Sequence, residues 1–204
     1  MISPLELAAN LFTAAAIFLA GRNNVHTWWT GIVGCTLFGL LFMGAQLYAD
    51  VVLQAFFVVT DVLGWWRWLH GKGGAPLPIT HAGWRTMAWM APVALIATGA
   101  YGAALHFYTN AYAPFIDSAV LVFSVMAQLL MMGRRIESWP VWLLVNTIAV
   151  PLYFSRGLYL TAFLYMCFWV NAIVSWIWWR KLAKQEQVAA LVSRGEHAAA
   201  GGPP

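Results

Sequence analysis

The chain has 204 residues, of which 62% are hydrophobic and only 9% are charged, with a formal net charge of +4. A soluble domain of this length cannot bury so much apolar side chain, which excludes an ordinary cytosolic globule. The positive charge makes no case for nucleic acid, because Lys and Arg collect in the cytoplasmic loops of bilayer proteins by default.

Apolar runs of about 17–22 residues, long enough to cross roughly 30 Å of hydrocarbon, alternate with short charged or Pro/Gly segments. They predict an all-α polytopic membrane protein of seven transmembrane helices, near 3–20, 28–46, 47–69, 87–107, 117–133, 139–154 and 158–179. The first run follows Met1–Glu6 with no basic region ahead of it and reads as a retained helix rather than a signal peptide. Thr27 is expected to cap the second helix, and a tight turn near Gly44–Tyr48 leads into the third. There Asp50, Gln54, Phe57, Asp61, Trp65 and Trp68 recur at helical spacing, within an arc of roughly 80°. Polar residues inside a bilayer are costly, so this stripe is a candidate site.

The fourth helix follows a basic loop containing Lys72. The fifth, with Asp117 as its expected cap, carries Ser124 and Gln128. Ser138 is expected to cap the sixth, with Pro140 in its first turn and Asn146 near mid-span. The seventh presents Thr161, Tyr165, Phe168, Ala172, Trp176 and Trp179 on one face, with Asn171 and Ser175 at its edge. Trp169 lies too deep for an interfacial belt, and its indole N–H needs a partner. Beyond Lys184 the small and polar tail, ending Ala-Ala-Ala-Gly-Gly-Pro-Pro, is expected to be disordered.

Charge fixes the expected orientation. With the N-terminus outside and the C-terminus in the cytoplasm, all eleven Lys and Arg residues except Arg156 lie on the inner side, as in a bacterial inner-membrane protein. An internal repeat organises the helices. Phe12, Trp28, Tyr48, Leu53, Phe57, Trp65 and Trp68 match Phe123, Trp139, Tyr159, Leu164, Phe168, Trp176 and Trp179 at one offset of 111 residues. Three helices (1–70), a loop and linker helix (71–110), three helices (111–182) and a tail (183–204) follow. The two halves run parallel, a plan that recurs in transporters with a site between the halves.

Two readings of the aromatic residues stand side by side. Trp65, Trp68, Trp176 and Trp179 suit either an interfacial anchor or a site wall. Gln54, Gln128 and Asn146 suit either a solute or contact between helices. Asp61 suits a solute or a polar partner in the bundle, and Asp50 suits the outer surface. Enzyme chemistry finds little footing. No phosphate-binding loop, metal-ligand spacing or haem-ligating His pair is present, and Cys35 and Cys167 read as small hydrophobes, so no cofactor is expected. A non-transporting membrane anchor or assembly module is the reading from another class. Exposed aromatic faces suit lipid or a homo-oligomer equally.

The run Leu47-Tyr48-Ala49-Asp50 through Gln54 to Phe57, followed by Gly64-Trp65-Trp66-Arg67-Trp68, resembles the third-helix signature of the PnuC-type vitamin transporters. Ile136-Glu137-Ser138-Trp139 with Trp142 and Asn146 is similar as well, as are Pro151-Leu152-Tyr153, Gly157-Leu158-Tyr159 and Leu164-Tyr165. The resemblance implies a SWEET-like fold of two three-helix bundles around a linker. It also implies facilitated diffusion of nicotinamide riboside, with a cytosolic kinase trapping the solute, and thiamine or riboflavin as cargo of relatives. Where members often carry glycine near the end of the seventh helix, this chain has Ser175-Trp176, with Trp169 and Asn171 upstream. Such an aromatic site would stack a thiamine or flavin ring equally well.

Overall fold

The computed structural model describes residues 4–44, 48–71, 74, 76–109, 113–155 and 159–200. Much of the expected turn at Gly44–Tyr48 lies outside this set, as do Lys72, Arg156 and the side chains of Asp50 and Thr161. Seven helices follow in order: α1 (Pro4–Gly21), α2 (His26–Gly44), α3 (Tyr48–His70), α4 (Trp84–Tyr108), α5 (Pro114–Met132), α6 (Ser138–Ser155) and α7 (Tyr159–Ala200). Helices satisfy their own backbone groups, which is what lets such a chain stand in lipid. By length and composition alone, α1, α4, α5 and the Ala162–Val192 part of α7 are apolar enough to cross a membrane.

Helices α1–α3 pack together as one bundle and α5–α7 as the other, while α4 packs on α5. The bundles meet through α1 against α7 and α3 against α5, contacts that the repeat exchanges for each other. The α1–α2 and α5–α6 turns are copies. At the end of α1, the Asn23 N–H donates to the Ala20 carbonyl (2.9 Å) and the Asn24 N–H to Leu19 (2.9 Å). At the end of α5, Arg134 donates to Met131 (2.9 Å) and Arg135 to Leu130 (3.0 Å). This crossed pair is the Schellman closure, and it requires a left-handed residue at its corner. Asn23 (φ 54°) and Arg134 (φ 53°) supply it.

The end of the bundle that holds these two turns also carries Arg22, Arg67, Arg85, Arg135 and Arg180, and is called the basic end below. There, residues 77–82 lie across the α5–α6 turn. Thr80 and Arg135 form an isolated parallel bridge, Arg135 Nη1 donates to Thr80 Oγ1 (2.7 Å), and Glu137 accepts from the Ala82 N–H (2.8 Å).

Several sequence expectations need correction. The tail is helical to Ala200, because Lys181–Ala190 is rich in good helix formers. Its Glu186 is also tethered by the Ile79 N–H at 2.8 Å. Thr27 does not cap α2. The Asn24 side chain accepts from the His26 N–H (2.9 Å), and Thr27 Oγ1 donates to the Ala16 carbonyl of α1 (2.8 Å). Helix α5 begins at Pro114, which fits a first turn, so Asp117 lies inside that turn rather than ahead of it. Ser138 opens α6, but its hydroxyl faces Met131 Sδ at 4.0 Å.

Candidate functional site between the two bundles

The repeat builds a symmetric floor at the basic end. Trp28, Trp68, Trp139 and Trp179 are 2%, 4%, 2% and 0% exposed, so they are core rather than interfacial belt. Trp28 meets Trp68 edge-on at 5.2 Å, and Trp139 meets Trp179 edge-on at 5.4 Å. Trp68 and Trp179 touch each other at 5.7 Å, which joins the two halves. Their indoles donate across the interface: Trp68 Nε1 to the Met131 carbonyl of α5 (3.1 Å), and Trp179 Nε1 to the Ala20 carbonyl of α1 (3.2 Å). Ala20 and Met131 are themselves repeat mates. The indole N–H groups of Trp28 and Trp139, another pair of mates, are buried with no partner among the described residues.

Trp65 and Trp176 flank this floor, each partly buried and packed on it. One turn from Trp65 along α3 sits Asp61, only 6% exposed, and Gln128 Nε2 of α5 donates to its Oδ1 at 2.7 Å. A carboxylate can lie here because Gly31 of α2 leaves the space. A Cβ on Gly31 would fall 2.6 Å from Asp61 Oδ2. The mates of Asp61 and Gln128 are Ala172 and Ile17, so this polar pair exists on one side only. On the other side Asn171 Nδ2 donates to the Ile17 carbonyl (3.2 Å), and Asn171 and Ser175 pack against Gly21.

The remaining sequence candidates separate. Phe57 and Phe168 are half-buried mates on α3 and α7. Gln54 faces Gly39 of α2, inside the first bundle. Asn146 is buried on α6. Tyr165 packs on Tyr153 (4.9 Å) and Phe168 (5.6 Å) within the second bundle. Ser124 spends its hydroxyl on the Val120 carbonyl of its own helix (2.6 Å). Trp169 is 36% exposed and finds its partner in Thr147 Oγ1 (3.0 Å) on the outer side of α6, away from the Asp61–Gln128 pair. Asp61, Gln128, Trp65 and Trp176 therefore share the bundle interface, and Trp169 does not. Sequence reasoning missed Gly31, Asn23 and Arg134. Repeat mates shared in shape rather than residue type give no identity to find.

The arrangement offers aromatic faces, a buried carboxylate and an amide, with no group of three or more His, Cys, Asp or Glu side chains placed to hold a metal among the described residues. That is binding chemistry for a small polar ring compound. Comparison with known proteins agrees with a transport role. The nicotinamide riboside transporter PnuC of Escherichia coli (strain K12) is 26% identical over 217 residues, covering 93% of this chain and 90% of that protein. The riboflavin/roseoflavin transporter RibM of Streptomyces davaonensis is 25% identical over 182 residues, covering 85% and 84%. The crystal structure of the vitamin B3 transporter PnuC superposes with a TM-score of 0.68 at 22% identity, over 89% of this chain and 82% of that one. The nicotinamide mononucleotide transporter model matches residues 3–181. The seven helices with their exposed apolar faces are thus those of a multi-pass membrane transporter, and the chain belongs to the nicotinamide mononucleotide transporter family.

Proposed function

We propose that this protein carries nicotinamide riboside into the cell across the bacterial inner membrane by facilitated diffusion. A cytosolic kinase then traps the solute by phosphorylation. The basic end faces the cytoplasm, so the N-terminus is outside and the C-terminus inside, in keeping with the positive-inside rule. One observation carries the reading: the buried Asp61–Gln128 pair lies at the bundle interface, one turn from the half-buried Trp65. Aromatic faces and a carboxylate both favour a cationic ring, and nicotinamide riboside bears a quaternary pyridinium. The carboxylate and amide suit ribose hydroxyls. Phe57, Phe168, Asn146 and Trp176 complete the binding set in this reading.

A second reading, riboflavin, draws on the likeness to the riboflavin/roseoflavin transporter. Thiamine shares the quaternary ring nitrogen and is the third candidate. Uptake of labelled nicotinamide riboside into proteoliposomes, with unlabelled nicotinamide riboside, riboflavin and thiamine as competitors, tests the choice. Competition by nicotinamide riboside alone is the expected result. Competition by riboflavin instead transfers the assignment, and uptake of none supports a non-transporting membrane module. A kinase-free liposome that equilibrates but does not concentrate the solute is expected for facilitated diffusion.

A further inference from the structure

The contacts that cross between the bundles gather toward the basic end. They include Asp61–Gln128, Asn171 to Ile17, Trp68 to Met131, Trp179 to Ala20, the Trp68–Trp179 ring contact and, outermost, Arg134. Arg134 reaches furthest. Its Nε and Nη2 donate to Asn23 Oδ1 of the first bundle at 3.0 and 2.8 Å, and its Nη1 donates to the Leu77 carbonyl of the loop before α4. Its guanidinium lies 5.1 Å from the centre of the Trp68 ring and 3.8 Å from Glu186 of α7. Glu186 in turn holds the Ile79 N–H, so loop 77–82 is tied to α7 and to the α5–α6 turn together.

The backbone makes Arg134 conspicuous. A left-handed corner favours Gly or Asn, and the mate position holds Asn23. An arginine at φ 53° is strained there, and such strain persists only where the surroundings hold it. Its side chain, not its backbone, explains its presence. Burial pulls the guanidinium below the ordinary arginine pKa and Glu186 works against that shift, so its partners sustain its charge.

From these contacts we infer that Arg134 is the latch on the basic side of the passage. It clamps both bundles and loop 77–82 over the tryptophan floor, and it must release Asn23 before solute can leave on that side. The inference rests on the transport reading above, and it adds a residue that touches no solute and acts by positioning.

The test uses the full chain in inside-out vesicles, with Cys35 and Cys167 replaced by serine and a reporter cysteine placed at Trp65. Labelling by a membrane-impermeant maleimide reports opening at the basic side. Arg134→Ala is expected to speed labelling about tenfold, the scale of losing hydrogen bonds to a charged group. Arg134→Lys, which keeps the charge but lacks the fork that spans Asn23 and Leu77, should speed it as well. If Arg134→Ala does not fold, Asn23→Ala and Glu186→Gln each remove one strand of the clamp and should speed labelling to a lesser degree. Unchanged labelling in every variant that folds overturns the latch. Calorimetric titration of the unaltered protein with nicotinamide riboside separates the two ideas, since its failure strikes the solute assignment and leaves the labelling result standing.

Discussion

Asn23 and Arg134, 111 residues apart, have the same left-handed backbone (φ 54° and 53°) and are hydrogen-bonded to each other at 2.8 Å. Two equivalent corners of a repeated unit therefore touch at the pseudo-twofold axis. Replacing Asn23 by Gly sets two effects against each other. Glycine relaxes the left-handed corner by less than about 1 kcal/mol, whereas losing the acceptor for a partly buried guanidinium costs about 1.5–3 kcal/mol. The second should win, and Asn23→Gly should melt at lower temperature in detergent than the unaltered protein.

The exchanged indole bonds predict matched phenotypes. Trp68→Phe and Trp179→Phe each remove one N–H donor to a carbonyl of the opposite bundle. Each should cost about 1 kcal/mol, lowering the melting temperature by about 2–4 °C. A severe effect at one position beside a silent one at the other would show that the two halves do not carry equal load.

Asp61 and Gln128 should be energetically coupled. In a double-mutant cycle with Asp61→Asn and Gln128→Ala, read by solute affinity, the interaction energy should be about 1–2 kcal/mol. Gly31→Ala should mimic the loss of Asp61, since its added methyl would meet the carboxylate at 2.6 Å. Additive single effects would remove the pair from the binding site.

At the crossing of α1 and α7, a Cβ on Gly21 would fall 2.2 Å from Ser175 Oγ. Gly21→Ala should therefore destabilise by about 1–3 kcal/mol through overpacking. Ser175→Gly, which installs the residue found at the mate position Gly64, should recover most of that loss in the double variant. Expression level and thermal unfolding would both register the recovery.

Trp169→Phe should leave solute affinity within about twofold, because its indole is spent on Thr147 at the outer surface. Trp176→Phe, at the edge of the floor, should weaken it more. Equal losses at both positions would return Trp169 to the site.

Much of this fold is legible in the residues themselves. The apolar runs locate the first six helices and the start of the seventh to within a few residues, and the tryptophan identities reveal the offset that relates the halves. Side-chain direction is less legible. Trp28 and Trp139 sit at helix ends, where an interfacial anchor is the ordinary expectation, yet Gly64 opens a slot into which the Trp28 ring packs. Trp169 has the depth of a site residue and the wrong azimuth by one helical position relative to Phe168. Asn23 and Arg134 escape notice because what they share is a backbone angle, and unlike side chains conceal it. The tail misleads through its final small residues, although the stretch before them has strong helix formers and an anchored Glu186.

The indole exchange also bears on ancestry. Trp68 bonds to Met131 where Trp179 bonds to Ala20, so each donor meets a carbonyl that its own half presents at the equivalent place. A single three-helix unit paired with a copy of itself would satisfy the same two bonds with no second gene half at all. Helix α4, which packs chiefly on α5 among the described residues, then has a modest duty: it brings the second unit in pointing the same way as the first.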